Sequence, residues 1–456
     1  MLSLDDTIAA IATPLGNGGV GIIKLSGPGA LKIAQQIFKP KRGDLMLKPR
    51  YLHYGQIMRP ASGELIDEAL IAYMPAPHSY TAQDVVEIQA HGGTVALQEI
   101  LQLTLSLGAR SAEAGEMTMR AFINGRLDLT QAEAVLDVIE ARTAASLRVA
   151  TQQLGGSLSK KVSAARQQLV AILAYLEATI DFVEEDILLE NIIPPLKGAV
   201  GEIETLAASA ARGLIYRQGI QTAIVGKPNV GKSSLLNALL RGERAIVTHI
   251  PGTTRDTLEE TANIGGVPLI LVDTAGIRAQ TDDAVEQIGI ERSRAALSRA
   301  DLALMVVDSS QPLTQGDWEI EKLLRQKPAL LVLNKIDLPQ AHPTPDDFLP
   351  GIPQIPMSAL TGEGLETLEK IIIEQVTGGK VIASDVALVS NPRHQALINR
   401  AIDHTQMAIQ AQVEGLSPDL VSIDLREAVD ALGEITGETA TEDLLDTIFS
   451  KFCIGK

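Results

Sequence analysis

The chain has 456 residues, 45% of them hydrophobic, which is enough for about three domains at the usual ~150 residues each and for several buried cores. A formal net charge of −17 argues against broad electrostatic binding to nucleic acid or an anionic membrane, and 3% aromatic content leaves few platforms for stacked bases, so any RNA contact is expected to be local or shared. The single cysteine, Cys453, cannot form an intrachain disulfide, the start Met1-Leu2-Ser3-Leu4-Asp5-Asp6 lacks a basic region, and no apolar run approaches ~18 residues, so the expectation is a cytoplasmic protein without a membrane span.

From residue 1 to about 118, short β-rich runs alternate with glycine and proline. Ile8 to Ala12, Val20 to Leu25, Ala69 to Met74 and Val85 to Gln89 read as strands, and a helix is expected from about Thr94 through Leu107. Gly16-Asn17-Gly18-Gly19-Val20-Gly21 satisfies the spacing of a dinucleotide loop, but Ile22-Ile23-Lys24-Leu25 continues as a strand where that motif needs a helix. A glycine turn between strands is the better reading. His91-Gly92-Gly93 is ambiguous alone.

From 119 to 216 the period becomes helical. Thr130-Gln131-Ala132-Glu133 reads as a capping box followed by Val135, Leu136 and Ile139 on one face. Long helices are expected over Ser157 to about Phe182 and Ile192 to about Tyr216, separated by the acidic stretch Asp181 to Glu190 as a solvated loop or helix end. The helical style returns after 379, with Ile398, Ile402, Ile409 and Val413 on one face, Ser417-Pro418 as a cap, and Val421, Leu425, Ala428 and Leu432 on another face. That last segment is small for its own core, so it is expected to complete the bundle begun before residue 217, with residues 217–378 inserted as a separate domain.

The inserted region carries the strongest chemistry. After the apolar run Ile220 to Val225 comes Gly226-Lys227-Pro228-Asn229-Val230-Gly231-Lys232-Ser233-Ser234, a strand feeding a glycine-rich turn that opens a helix. Such a turn is a phosphate cradle: its N–H groups and the helix's positive end face one point, Lys232 adds a charge, and the Ser233 hydroxyl suits magnesium. Leu269 to Val272 leads into Asp273-Thr274-Ala275-Gly276, where Asp273 suits the magnesium shell and the Gly276 N–H a γ-phosphate. Asn334-Lys335-Ile336-Asp337 follows another strand, and the Asp337 carboxylate can accept both the ring N–H and the amine of guanine. Ser358-Ala359-Leu360 is a turn suited to donating a backbone N–H to the guanine oxygen. Four motifs in this order specify GTP and a Ras-like, doubly wound sheet. The residue after Gly276 is Ile277, where a Ras-like enzyme has a water-positioning glutamine, so another side chain must do that work.

Over its entire length the chain resembles the MnmE, or TrmE, family of tRNA-modification GTPases. The resemblance rests on Ala12-Thr13-Pro14 with Gly18-Gly19-Val20-Gly21-Ile22, on Pro251-Gly252-Thr253-Thr254-Arg255-Asp256, and on the terminus Phe452-Cys453-Ile454-Gly455-Lys456. It implies an α/β tetrahydrofolate-binding and dimerisation domain at 1–118, a helical domain in two parts at 119–216 and 379–456, and the inserted GTPase domain at 217–378. It further implies that the chain works with the flavoprotein MnmG, in a heterotetramer, to install an aminomethyl or carboxymethylaminomethyl group at carbon 5 of the tRNA wobble uridine. The one-carbon donor would be a 5-formyl- or 5,10-methylene-tetrahydrofolate.

The family's folate contacts carry over to Lys24, Glu87, Arg126 and Lys456. Relatives often have arginine at the first of these and lysine at the third, so charge is kept while bidentate geometry is not. The resemblance makes Glu286 the catalytic glutamate, extends the GTP contacts through Thr248, His249, Ile250, Pro251, Gly252, Thr253 and Thr254, and assigns magnesium to Ser233 and Thr254. Hard oxygen donors on Asn229, Thr248, Ile250 and Thr253 suit a potassium ion where another GTPase would use an arginine finger, and the resemblance implies that this ion also promotes pairing of GTPase domains. Cys453 reads either as a small buried hydrophobe or, from its place beside the expected folate, as a reactive thiol. A regulatory GTPase of ribosome assembly, with no one-carbon chemistry, is the alternative, because nucleotide motifs serve many outputs.

Overall fold

The computed structural model describes residues 5–41, 46–181, 191–241, 260–272, 294–325, 327–341, 344–378 and 389–456. The chain divides into two compact units, one of Met1–Leu136, Gln153–Ile203 and Leu397–Lys456, the other of Asp137–Gln152 and Glu204–Ala396. Among the described residues no helix is long and apolar enough to cross a membrane.

The first unit contains a seven-stranded sheet from β1 (Ile8–Ile11), β2 (Gly18–Ser26), β3 (Phe38–Pro40), β4 (Leu52–Met58), β5 (Leu65–Met74), β6 (Val85–Gly92) and β7 (Arg110–Ser111), in the order β3-β4-β5-β6-β2-β1-β7. Every pairing is antiparallel except β1 with β7. Side chains alternate across it: Ile23, Leu25, Val86 and Ile88 face a core shared with α1 (Ala30–Ile37) and α2 (Thr94–Ser106), so Lys24 and Glu87 emerge on the other face as direct cross-strand partners. The glycine run expected as a turn between strands is a turn only up to Asn17: Gly18 to Gly21 lie inside β2, with an irregular register there, and the strand continues through Lys24 as expected.

Helix α3 (Glu116–Ile123) begins earlier than the sequence suggested, and α4 (Leu129–Glu140) begins differently. The expected capping box at Thr130–Glu133 is replaced by one two residues earlier. The Asp128 carboxylate accepts the Gln131 N–H at 2.9 Å while the Gln131 side chain accepts the Asp128 N–H at 3.0 Å. Aspartate is at least as good a cap as threonine, and Gln131 stands at the third helical position that the reciprocal bond needs. Next come α5 (Ala144–Leu154), α6 (Ser157–Asp181) and α7 (Ile193–Gln218). Of the acidic stretch Asp181 to Glu190, only Asp181 lies within the described residues.

The second unit's sheet has the order β13-β12-β11-β8-β10-β9, from β8 (Ile220–Val225), β9 (Glu260–Ile264), β10 (Val267–Val272), β11 (Leu302–Asp308), β12 (Ala329–Asn334) and β13 (Gln354–Pro356). All are parallel except the edge strand β9. Central strands are apolar on both faces, as a doubly covered parallel sheet requires. Leu304 and Val306 join one core with α8 (Lys232–Arg241) and α10 (Leu365–Thr377), while Ala303, Met305 and Val307 join another with α9 (Gln315–Leu324). The turn of the β9–β10 hairpin is held by the Thr143 hydroxyl, which donates to the Gly266 carbonyl at 2.8 Å.

The C-terminal helices are α11 (Pro392–Val413), α12 (Pro418–Thr436) and α13 (Glu442–Phe449). Val421, Leu425, Ala428 and Leu432 of α12 are fully buried, as their spacing predicts. On α11 the buried stripe is instead Ile398, Ala401, Thr405 and Ala408, and Val413 is exposed. Small residues allow close helix approach, and large aliphatics drew the expected face to one side. Ser417 caps α12 by position, with proline next, but makes no side-chain cap bond.

Candidate functional site

The described nucleotide motifs, residues 226–234, 334–337 and 358–360, follow the C-terminal ends of the parallel strands β8, β12 and β13, the usual ligand edge of an open α/β sheet. The loop between β8 and α8 is held open by backbone geometry. Asn229 takes a left-handed φ of 63°, which asparagine tolerates, and a Cβ on Gly231 would lie 2.1 Å from the Asn334 amide nitrogen. That close approach has a purpose. Buried Asn334 donates from Nδ2 to the Val230 carbonyl at 2.8 Å and accepts the Ala359 N–H on Oδ1 at 2.9 Å, joining the phosphate loop to the Ser358–Leu360 turn.

Lys335 braces the same loop from the other side. Its Nζ donates to the Asn229 carbonyl at 2.9 Å and to Asp308 at 2.6 Å. Burial works to raise the Asp308 pKa, but the bonds from Lys335 and Ser310 outweigh it and hold that carboxyl below its usual range. Lys227 ties the loop to the start of α9, donating to Asp317 at 2.7 Å and to Thr314 at 2.9 Å. Sequence reasoning missed both aspartates, whose roles depend on contacts across more than 25 residues.

Lys232 lies within the loop, its Nζ donating to the carbonyls of Gly226 at 2.8 Å and Lys227 at 2.6 Å. Burial lowers its pKa to about 8. A phosphate chain placed there would restore the charged form. Ser233 stands in the first turn of α8, where a hydroxyl suits magnesium, a hard cation that takes few protein oxygens and completes its shell with phosphate and water. Asp337 is exposed after β12, Ser358 is buried and bonds the Thr361 N–H through Oγ at 3.2 Å, and Leu360 is exposed.

Thr248, His249, Ile250, Pro251, Gly252, Thr253, Thr254, Asp273, Thr274, Ala275, Gly276 and Glu286 lie outside the described residues. Of the expected potassium donors only Asn229 is described, and its side chain is exposed.

A second constellation forms in the first unit. Lys24 and Glu87, opposite one another on β2 and β6, approach to 3.7 Å. The Tyr80 ring lies 5.6 Å from the Lys24 ammonium and 4.8 Å from the Arg126 guanidinium. The C-terminal segment joins them: Ile454 bridges Ala114, the Lys456 carbonyl accepts the Met117 N–H at 3.1 Å, and Phe449 and Phe452 pack with Met119, Leu129 and Ala132. Gly455 has φ 92°, and a Cβ there would meet the Ile11 carbonyl at 2.5 Å, so only glycine lets the tail lie on the β1 backbone. Burial, then the positive charge of Lys24, lowers the pKa of Lys456.

The four predicted folate residues therefore meet in one place. Cationic side chains, a carboxylate and an aromatic ring are a donor set that fits a ligand with an anionic tail and a heterocycle rich in N–H groups. Cys453 is exposed, which removes the buried-hydrophobe reading. In the same unit, Arg110 and Arg120 form a closed ring of ion pairs with Asp6 and Glu116, with N–O distances of 2.5 to 2.8 Å. Arg120 and Glu116 are almost fully buried, and their helix leads directly to Arg126. The Glu116–Arg120 spacing was a readable helix pair, but its burial and its partners were not.

A six-stranded, mainly parallel sheet with the three described motifs at one edge, and the fourth following β10 in sequence, defines a P-loop GTP-binding domain, in a chain whose first unit carries a second polar constellation. Family profiles match at both levels: residues 7–126 match the "GTP-binding protein TrmE N-terminus" and residues 129–453 the "MnmE helical domain". The chain is 52% identical over 455 residues to the tRNA modification GTPase MnmE of Chloroflexus aurantiacus, covering 99% of this chain and 100% of that one. It is 50% identical over 466 residues to the protein of the same name from a Roseiflexus species, covering 99% of each. The chain belongs to the MnmE family of tRNA modification GTPases, and it is a GTPase.

Proposed function

We propose that this GTPase acts in modification of the tRNA wobble uridine. Together with the flavoprotein MnmG, it would help to add an aminomethyl or carboxymethylaminomethyl group at carbon 5. The observation that carries this reading is the meeting of Lys24, Glu87, Arg126 and Lys456 around Tyr80. A GTPase that only regulated assembly would have no use for such a pocket. Lys24, Arg126 and Lys456 would hold the glutamate tail and ring carbonyl of a tetrahydrofolate, 5-formyl or 5,10-methylene, and Glu87 would accept ring N–H bonds. When bound, the folate supplies the one-carbon unit. Cys453, exposed and three residues before Lys456, is the candidate nucleophile of the chain.

In the GTPase domain, proposed as an insertion at 217–378 between the helical segments 119–216 and 379–456, Asp337 would select guanine and Lys232 would neutralise phosphate charge. Ser233 and Thr254 would hold magnesium, with Asp273 in its shell. Potassium on Asn229, Thr248, Ile250 and Thr253 would take the part of an arginine finger, with Glu286 orienting water. Hydrolysis would drive pairing and separation of GTPase domains in a cytoplasmic homodimer joined through residues 1–118.

Calorimetric titration of 5-formyltetrahydrofolate into the full-length protein tests the pocket. Binding that disappears on deletion of Cys453 to Lys456, while GDP binding persists, is the expected result. No binding to the folded full-length protein would favour the regulatory-GTPase alternative.

A further inference from the structure

The Tyr80 ring lies beside both Lys24 and Arg126 of the proposed folate site, and its surroundings fix it more firmly than a surface aromatic requires. Its hydroxyl bonds Thr118 Oγ1 at 2.9 Å, and its ring packs beside the core formed by Ile8, Ala10, Ala112 and Met117. The residues on either side are bolted down too. The Ser79 hydroxyl donates to the Gln83 carbonyl, Thr81 Oγ1 shares a hydrogen with Ser26 Oγ at 2.7 Å, and the Thr81 carbonyl accepts from the Asn124 side chain at 2.7 Å. Two side chains of like charge, Lys24 and Arg126, come to this one ring. Long cationic side chains lose rotamer freedom when they are held, and like charges drawn into one pocket repel. A fixed π-face offsets both costs.

We propose that Tyr80 is the positioning residue of this pocket, its ring holding Lys24 and Arg126 at a set spacing so that an anionic, heterocycle-bearing ligand meets two cations already in place. The inference rests on the reading of the pocket as a tetrahydrofolate site. Tyr80 acts through the cations and the Thr118 bond serves only to orient the ring, so Tyr80→Phe keeps the function and Tyr80→Leu loses it.

The test is titration of 5-formyltetrahydrofolate into the full-length wild type, Tyr80→Phe, Tyr80→Leu, Arg126→Ala and the double variant Tyr80→Leu/Arg126→Ala, each checked for folding by its thermal melt. Tyr80→Phe is expected to bind within about threefold of wild type and Tyr80→Leu about tenfold more weakly, a difference of about 1.4 kcal/mol. In the Arg126→Ala background the Tyr80→Leu loss should shrink to about threefold, because one of the two cations it positions is gone. Wild-type affinity in Tyr80→Leu, or a full tenfold loss in both backgrounds, would overturn the inference while leaving the folate site standing. Failure of the wild type itself to bind would overturn the folate reading and this inference with it.

Discussion

At the scale of single residues, the nucleotide site makes two sharp demands. Asp337 can accept two donors from guanine, so Asp337→Asn leaves those donors facing donors, at about 1–3 kcal/mol for each unpaired group. GTP affinity should fall at least about tenfold and XTP affinity should rise; unchanged GTP binding in a filter or fluorescence assay would place the guanine elsewhere. Lys232 makes the second. Its pKa of about 8 lies below that of a free lysine because it is buried among carbonyls, and bound phosphate would raise it again. Between that value and the ordinary lysine pKa of about 10.4, the ammonium is depleted before binding and restored by it. GDP binding at pH 8.5 should therefore take up a fraction of a proton, read by calorimetry in buffers of different ionisation enthalpy. Lys232→Arg, charged throughout, should show none. The type of residue at both positions was legible because the motif spacing is local. What could not be read was Asn334 reaching across to Val230 and Ala359, or Lys335 reaching Asp308, since each bond joins strands that meet only in the folded sheet.

At the scale of elements, the hydrophobic period located helices well and their edges poorly. The α12 face was read correctly because its stripe is made of large residues at strict spacing. The α11 face shifted because alanine and threonine, which carry little hydrophobic signal, do the packing. The start of α4 moved to Asp128 because two overlapping capping patterns compete, and the aspartate–glutamine pair wins both reciprocal bonds. Helix α3, short and carrying Glu116 and Arg120 into the interior, resembles a surface helix in sequence. Its ion-pair ring supplies a prediction. Burial alone would raise the Glu116 pKa, but the bonds from Arg110 and Arg120 outweigh it, and the pKa ends below the ordinary carboxylate value. A carboxylate so depressed stabilises the fold above its unfolded pKa of about 4.3, and that contribution is lost as pH falls through the folded value. Removing one member, as in Arg120→Ala, leaves the two carboxylates to share Arg110 and leaves a buried gap where the guanidinium lay, and should cost about 3–5 kcal/mol in denaturant unfolding at neutral pH. A loss under 1 kcal/mol would mean that water reaches the ring.

At the scale of the whole molecule, a GTPase domain and the proposed folate site belong to one chain, and the family resemblance supplies the expectation that potassium and Glu286 drive hydrolysis. Glu286→Ala should slow turnover at least about tenfold with GTP affinity kept, and sodium in place of potassium at constant ionic strength should slow the wild type. Equal rates in both salts at concentrations that allow dimerisation would remove the cation from the mechanism. The central claim concerns tRNA, and it is tested most directly by mass analysis of wobble nucleosides from cells lacking this chain. The account predicts that the 5-aminomethyl and 5-carboxymethylaminomethyl uridines disappear, return with the wild-type chain, and stay absent with a chain lacking Cys453 to Lys456. Full wobble modification in the deleted cells would contradict it.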